Sequence, residues 1–424
     1  MTINQETKDY IRRHADGDVR RLALAKKPGD GIDMPFALDQ IAGRQTAKAK
    51  LPSWHGIADI IFPPHISMEQ CSSEQTANYK VETLQRALRN VFSDEEDLKN
   101  CHFIDLTGGF GVDFSFLAKR FSSATYVERQ QHLCDIARHN LPLLGLQSAE
   151  ILCSDSREAV ENIGSIAHGK PVAVFMDPAR RDTNGQRTYA ITDCTPDVTA
   201  LLPTLLQHSA VVMLKLSPML DIHGTVKALN DAAASKDAVR EVHVVATANE
   251  CKELLLILSE KYHSIVSCHC VNDRQTFVTD ALSDTVPPPV PPQGKDIARM
   301  PSHTSALYLH VPNAAIMKAG IFSQIETAFS IPQVSPNSHL FLSHAPIEGF
   351  PGRTFKVLTV TSMNKKELRT ALQQISSANI AVRNFPLSTD ALRRKLKLKD
   401  GGDTYIFATT TAANDHLLLF CRKA

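Results

Sequence analysis

The stretch FIDLTGGFGVDFSFLAKRF, residues 103–121, decides how this chain is read. An apolar run stops at Asp105, a turn follows with Gly108, Gly109 and Gly111, and a helical pattern begins near Asp113. Glycines allow a tight turn and a close approach of backbone to a ligand, and the first turn of a helix presents unpaired N–H groups in a positive potential. A strand, a glycine turn and a helix in that order predict the first unit of an α/β sheet with a ligand site at the carboxyl ends of its strands.

Six more apolar runs follow, at 123–128, 149–154, 172–177, 210–215, 241–247 and 253–258, and helical segments separate the first six of the seven. Unbroken apolar runs of this kind are strands buried on both faces, and their alternation with helices predicts a parallel, doubly wound sheet. Only a short loop around Asn249 divides the last two, so the seventh is expected to return antiparallel. Residues 1–100 read as helical, including a helix that starts at the candidate caps Ser72 and Ser73 and runs to about Phe92. DTVPPPVPPQGK (284–295) has five prolines in six residues and reads as a linker or long surface loop. Beyond it lie a small α/β piece at 300–350 and a β-α-β-α-β-β pattern from 353 to the end.

The chain has 424 residues, 43% hydrophobic and 21% charged, with no apolar run long enough for a membrane span. Its polar, charged beginning is not a secretory signal. Nine scattered cysteines with no CxxC pair predict reduced thiols, a cytoplasmic protein and no metal site. Net charge is only +1, but residues 353–424 hold 13 Lys and Arg against 5 Asp and Glu. Such a basic module on a near-neutral body is the pattern of a polyanion-binding attachment.

The strand ends carry the candidate chemistry. Two cofactor classes use an acid-tipped strand followed by a glycine turn: nicotinamide dinucleotides and S-adenosylmethionine. Counting from Gly109, the third small residue of the dinucleotide fingerprint falls on Phe114, so the methyl donor fits better. Glu128, 23 residues after Asp105, ends the second run, where a carboxylate can accept ribose hydroxyls. Asp155 follows the third run and is placed either beside an adenine amine or as a helix cap. The fourth run ends at Asp177-Pro178, followed by Arg180. Asp177 can orient a nucleophile or accept its proton, and Arg180 can hold a phosphate or carbonyl. Lys215 interrupts the fifth run beside that tip, as a site residue or an edge-exposed lysine, and Cys194 reads as a core or loop cysteine.

With these residues the chain resembles class I S-adenosylmethionine-dependent methyltransferases. DLTGGFGVD is similar to their motif I, Glu128 to the motif II acid, Asp155 to motif III and DPAR (177–180) to motif IV. EQCSSEQTANYK (69–80) is similar to the segment that folds over the methionine end of the cofactor. VPNAAIMKAG, FPGRTF and VRNFPLSTDALRRKLKLKDGGDTYIFAT resemble a bacterial methyltransferase family with a ferredoxin-like piece followed by a THUMP-like domain. The resemblance implies a Rossmann-like seven-stranded α/β sheet with a helical N-terminal region and a C-terminal α+β region. The boundaries it implies are 1–100, 101–270, 271–352 and 353–424. The cofactor set it implies is Asp105, Thr107, Gly108, Gly109, Gly111, Asp113, Glu128 and Asp155, with Glu69 and Ser72. Asp177, Pro178, Arg180 and Lys215 would serve the transfer, with no metal. The implied substrate is a base in RNA, tRNA or rRNA, docked by Arg393, Arg394, Lys395, Lys397 and Lys399. Enzymes acting on exocyclic amines show Asp/Asn-Pro-Pro-Tyr/Phe at motif IV. Ala179 and Arg180 stand there instead, closer to the Pro-Arg variant of some RNA base methyltransferases. The alternative is a methyltransferase for a small molecule or protein whose C-terminal module serves oligomerisation.

Overall fold

All seven apolar runs become strands in the computed structural model, which describes residues 3–25, 31–180, 190–235, 237–262, 266–280 and 306–424. The proline run read as a linker lies outside the described residues. The chain divides into two units, one of Met1–Val242 with Leu255–Ile265 and one of His243–Leu254 with Val266–Ala424.

The first unit is built on β1 (His102–Asp105), β2 (Ser123–Glu128), β3 (Glu150–Cys153), β4 (Val172–Met176) and β5 (Val211–Leu216). Portions of β6 (Val239–Thr247) and β7 (Glu250–Leu258) complete it. The strand order is β3-β2-β1-β4-β5-β7-β6. β1 sits at the switch: Ile104 is in register with Thr125 of β2 on one side and with Val174 of β4 on the other, both parallel. In open parallel sheets the crevice at such a switch point, outside the carboxyl ends, is where ligands bind. Buried Phe103, Phe114, Tyr126 and Phe175 form the core under that edge.

The helical N-terminal region covers part of this sheet. Its longest helix, Glu74–Val91, is capped by Ser73, which accepts from Thr76 N, while Ser72 is left for another use. The helix turns Ala77, Lys80, Val81, Leu84, Ala87 and Leu88 inward, the i, i+3, i+4 spacing of one buried face. One of those six is a lysine.

β6 and β7 run longer than the apolar residues alone suggest, because the polar start of β7 has the composition of a loop. Ala248 and Asn249 both take positive φ, 50° and 61°, so a two-residue turn lets pairing extend to its edge. Asp273 and Asn272 side chains accept the Ala248 and Asn249 N–H groups and hold that turn.

In the second unit the distal parts of β6 and β7 are extended by the hairpin of β8 (Ser267–Asn272) and β9 (Gln275–Asp280). A separate six-stranded sheet contains β10 (Leu307–Pro312), β11 (Phe341–Ser343), β12 (Gly352–Thr361), β13 (Asn379–Arg383), β14 (Tyr405–Thr410) and β15 (His416–Lys423). Its order is β11-β10-β12-β15-β14-β13. From β12 onward the element order is β-α-β-α-β-β, with helices Lys365–Ala371 and Thr389–Leu396 packing Leu368, Leu392 and Leu396 onto Ile406, Leu418 and Phe420. β10 and β11 belong to the same sheet, so one sheet serves both C-terminal pieces. Among the described residues no helix is long and apolar enough to cross a membrane.

His102 opens β1 fully buried, its ring nitrogens 2.8 Å from Ser123 Oγ and 2.9 Å from Thr125 Oγ1. Burial pushes its imidazole from 6.5 down to about 4. Between those values the unfolded chain binds a proton that the folded chain refuses, so this residue's share of stability is present above pH 6.5 and is lost as pH falls toward 4. His102→Gln is expected to flatten the loss of urea stability across that window, and an unchanged slope would show that other groups govern it.

Candidate active site

The carboxyl ends of β1, β2, β4 and β5 surround a cavity of about 490 Å³. Its floor is tied together by Thr107. The Thr107 N–H donates to Asp105 Oδ1 at 2.9 Å, and Thr107 Oγ1 accepts the Asp177 N–H at 2.6 Å. The tips of β1 and β4 are thereby held as one piece. Asp105 is fully buried, and burial, with Asp113, Asp177 and Glu128 as neighbouring acids, pushes its carboxyl well above the usual range.

Each glycine of the turn has its own reason. Gly109 and Gly111 take φ of +54° and +87°, where a side chain is strained. Gly108 instead lies against the Tyr126 ring, where an added Cβ would fall 2.2 Å from a ring carbon. The Tyr126 hydroxyl donates to Gly109 O and pins the turn from below. Glu128 accepts Gly109 N–H at 3.0 Å on one oxygen and Gln130 N–H at 2.8 Å on the other. Two backbone donors thus fix its carboxylate at the cavity wall. Asp155 caps helix Ser156–Glu161 through Arg157 N–H, one of its two sequence readings, and it also lines the cavity.

At the other end of the cavity four charges alternate in sign. Lys215 Nζ lies 2.5 Å from Asp177 Oδ2 and 3.6 Å from Asp113 Oδ2. Lys80 Nζ lies 3.2 Å from Asp113 Oδ1, and Ser72 Oγ donates to Asp113 Oδ2 at 2.8 Å. Burial alone would raise the Asp113 carboxyl, but Lys80, then Lys215 and Ser72, outweigh it and hold it below the usual range. Lys215 is therefore a cavity residue rather than an edge-exposed lysine.

Most of the predicted positions come together here: Asp105, Thr107, Gly108, Gly109, Gly111, Asp113, Glu128, Asp155, Ser72, Asp177 and Lys215 all line the cavity. Glu69 does not. On helix His65–Gln70 and the residue after it, Ser67, Gln70 and Cys71 face the cavity at i, i+3, i+4 spacing, which turns Glu69 to solvent. Pro178 is buried beneath the tip and is not part of the lining. The backbone of Arg180 pairs with Cys194, and its side chain lies outside the described residues. Cys194 is buried. That short ladder brings Thr195 and Pro196 to the cavity, which no local pattern in the sequence announces. Sequence reasoning also misses Lys80, although a lysine on an otherwise apolar helix face is a readable signal. In the second unit Arg394, Lys395, Lys397 and Lys399 are exposed. Arg393 is not available in the same way: it donates to Ala378 O and Lys399 O and pairs with Asp400 at 2.6 Å, holding the loop after its helix.

The lining suits a cationic ligand with a diol and an amine. Four carboxylates (Asp113, Glu128, Asp155 and Asp177) and the Asp105 carboxyl face it against Arg129, Arg157 and Lys215. S-adenosylmethionine has a sulfonium and an amino group as cations, a ribose diol and an adenine amine, so the donor set fits.

Comparisons with known proteins agree. Residues 308–351 match a ferredoxin-like domain and residues 352–423 a THUMP domain-like family. A crystal structure of a "putative methyltransferase" from Porphyromonas gingivalis is 30% identical, with a TM-score of 0.81 and 100% of both chains covered. An uncharacterized S-adenosylmethionine-dependent methyltransferase of Mycobacterium tuberculosis is 24% identical over 322 residues, 73% of this chain and 77% of that protein. The fold and site define an S-adenosylmethionine-dependent methyltransferase. The chain belongs to the family of such enzymes that carry a ferredoxin-like and a THUMP-like domain at their C-terminal end.

Gly108→Ala tests the packing of the turn. Forcing a methyl group into the Tyr126 ring is expected to cost about 1–3 kcal/mol in urea unfolding. A change below about 0.5 kcal/mol, the level of an ordinary surface substitution, would mean that the turn can shift without loss.

Proposed function

We propose that this enzyme methylates RNA, with the donor lying along the carboxyl edge of β1, β2 and β3 and the acceptor at the tip of β4. The observation that carries the RNA reading is the exposed cationic run of Arg394, Lys395, Lys397 and Lys399 in a THUMP-like module. Charges of this kind meet phosphates, which gives affinity with little sequence choice.

S-adenosylmethionine supplies an electrophilic methyl group on its sulfonium. The residues of the chain position the two reactants. Glu128, its oxygens already aimed by two backbone donors, accepts the ribose hydroxyls, and Asp155 accepts the adenine amine. Gly109 and Gly111 let the backbone approach. Asp113, Asp105 and Ser72 surround the amino acid end. Asp177 orients the acceptor and takes up its proton, and Lys215 holds the Asp177 carboxylate in place at 2.5 Å. None of the nine cysteines is joined in a disulfide, which supports a reducing cytoplasm.

The test is transfer of tritium from labelled S-adenosylmethionine into deproteinised RNA from a bacterial strain lacking the protein. RNase-sensitive label is expected, and Asp177→Ala should abolish it while donor binding persists. Changing Arg394, Lys395, Lys397 and Lys399 together to Gln should weaken RNA binding and flatten its log–log salt slope by about 3, since each phosphate left without its cation removes roughly 0.7–0.9 from the slope. Donor binding without any label in RNA would move the assignment to a small-molecule or protein acceptor.

A further inference from the structure

We propose that Lys80 is a positioning residue for the transfer site, acting through Asp113 on Lys215. Lys80 stands on helix Glu74–Val91, outside the sheet, and its side chain is completely buried. A buried ammonium is costly unless it is paired and hydrogen-bonded. Here Nζ donates to Ser72 Oγ at 3.1 Å and Thr76 O at 3.4 Å and lies 3.2 Å from Asp113 Oδ1. Asp113 is shared: one oxygen faces Lys80, and the other faces Lys215 at 3.6 Å and accepts from Ser72. Lys215 in turn is shared between Asp113 and Asp177.

A cation between two carboxylates leans toward the less neutralised one. By neutralising Asp113 from the far side, Lys80 leaves Lys215 leaning on Asp177, where it lies 2.5 Å from the carboxylate. Without Lys80, Asp113 would draw Lys215 back and Asp177 would lose its anchor. Ionisable groups facing this cluster include Asp105 at the tip of β1, which neighbours Asp113 and Asp177, and the Cys71 thiol, whose surroundings include Asp113, Lys215 and Lys50. Lys50 is turned to Met68 O and Glu69 O, so it does not stand in for Lys80 at Asp113.

The test needs neither donor nor RNA, so it stands apart from the reading of the acceptor. Acetic anhydride labelling of Lys215 across pH, followed by mass spectrometry on the cofactor-free full-length protein, reports where its amine gives up its proton. Lys80→Met is expected to raise that midpoint by about one pH unit, because a neighbouring positive charge is lost. Lys80→Arg should leave the midpoint in place. Lys80→Met with Asp113→Asn removes one charge of each sign and should bring the midpoint back to within a few tenths of the wild type. If Lys80→Met does not fold, Ser72→Ala gives the same direction with a smaller shift, since its hydroxyl bridges Lys80 and Asp113. Should methyl transfer be measurable, the acid limb of its pH profile moves upward in Lys80→Met and recovers in the double variant. A folded Lys80→Met protein with the wild-type midpoint, or a double variant displaced further than the single one, would overturn the proposal and reduce Lys80 to a packing role.

Discussion

The cavity depends on the alternation of Lys80, Asp113, Lys215 and Asp177. The desolvation of these charges is offset by their neighbours of opposite sign, with hydrogen bonds from Lys80 to Ser72 and Thr76 O and from Ser72 to Asp113. Removing one leaves its neighbour with less compensation. The chain of charges also crosses structural boundaries. Lys80 comes from the N-terminal helical region, Asp113 from the helix after β1, Lys215 from β5 and Asp177 from the tip of β4. The N-terminal helices therefore do more than cover the sheet: one of them supplies an ion to the site.

The opposite half of the cavity rests on a different principle. There the backbone is the main donor, and Glu128 is oriented by N–H groups from Gly109 and Gln130 rather than by a counter-ion. Thr107 joins the two halves, with its N–H on Asp105 and its hydroxyl under Asp177. Under the proposed reading, a ribose-binding end fixed by backbone and an end fixed by charge, where the donor's amino acid end and the acceptor would meet, suit a reaction in which positioning two reactants is the main task.

Much of this was legible in the sequence because it is local. The glycine turn, the strand-end acids Glu128 and Asp177 and the alternation of strands and helices are each written within a few residues. Six of the seven apolar runs map onto buried strands for the same reason, since strands buried on both faces tolerate few polar interruptions, whereas β3 lies at the sheet edge and is largely exposed, against the expectation of burial on both faces. What escaped depends on long-range contact or on helical phase. Glu69 and Cys71 differ by two positions, yet a helix turn sends one to solvent and the other to the cavity. Thr195 and Pro196 arrive through a two-residue ladder with Ala179 and Arg180, which has no periodic signature. Arg393 looks like its basic neighbours in the sequence, but the turn after its helix returns Asp400 to it. Lys80 was readable in principle, as a charge at the spacing of Ala77, Leu84 and Leu88, but naming its partner Asp113 required the fold.

The central claim is that the methyl donor lies in this cavity with its ribose on Glu128. Calorimetric titration of S-adenosylmethionine into the wild-type protein and into Glu128→Gln tests it most directly. The account predicts saturable one-site binding to the wild type. It also predicts about a tenfold loss in Glu128→Gln, the scale of a hydrogen bond to a charged group, in a protein that stays folded although the amide nitrogen cannot accept one of the two backbone N–H groups from Gly109 and Gln130. Equal affinity in the two proteins would place the donor elsewhere and contradict the account.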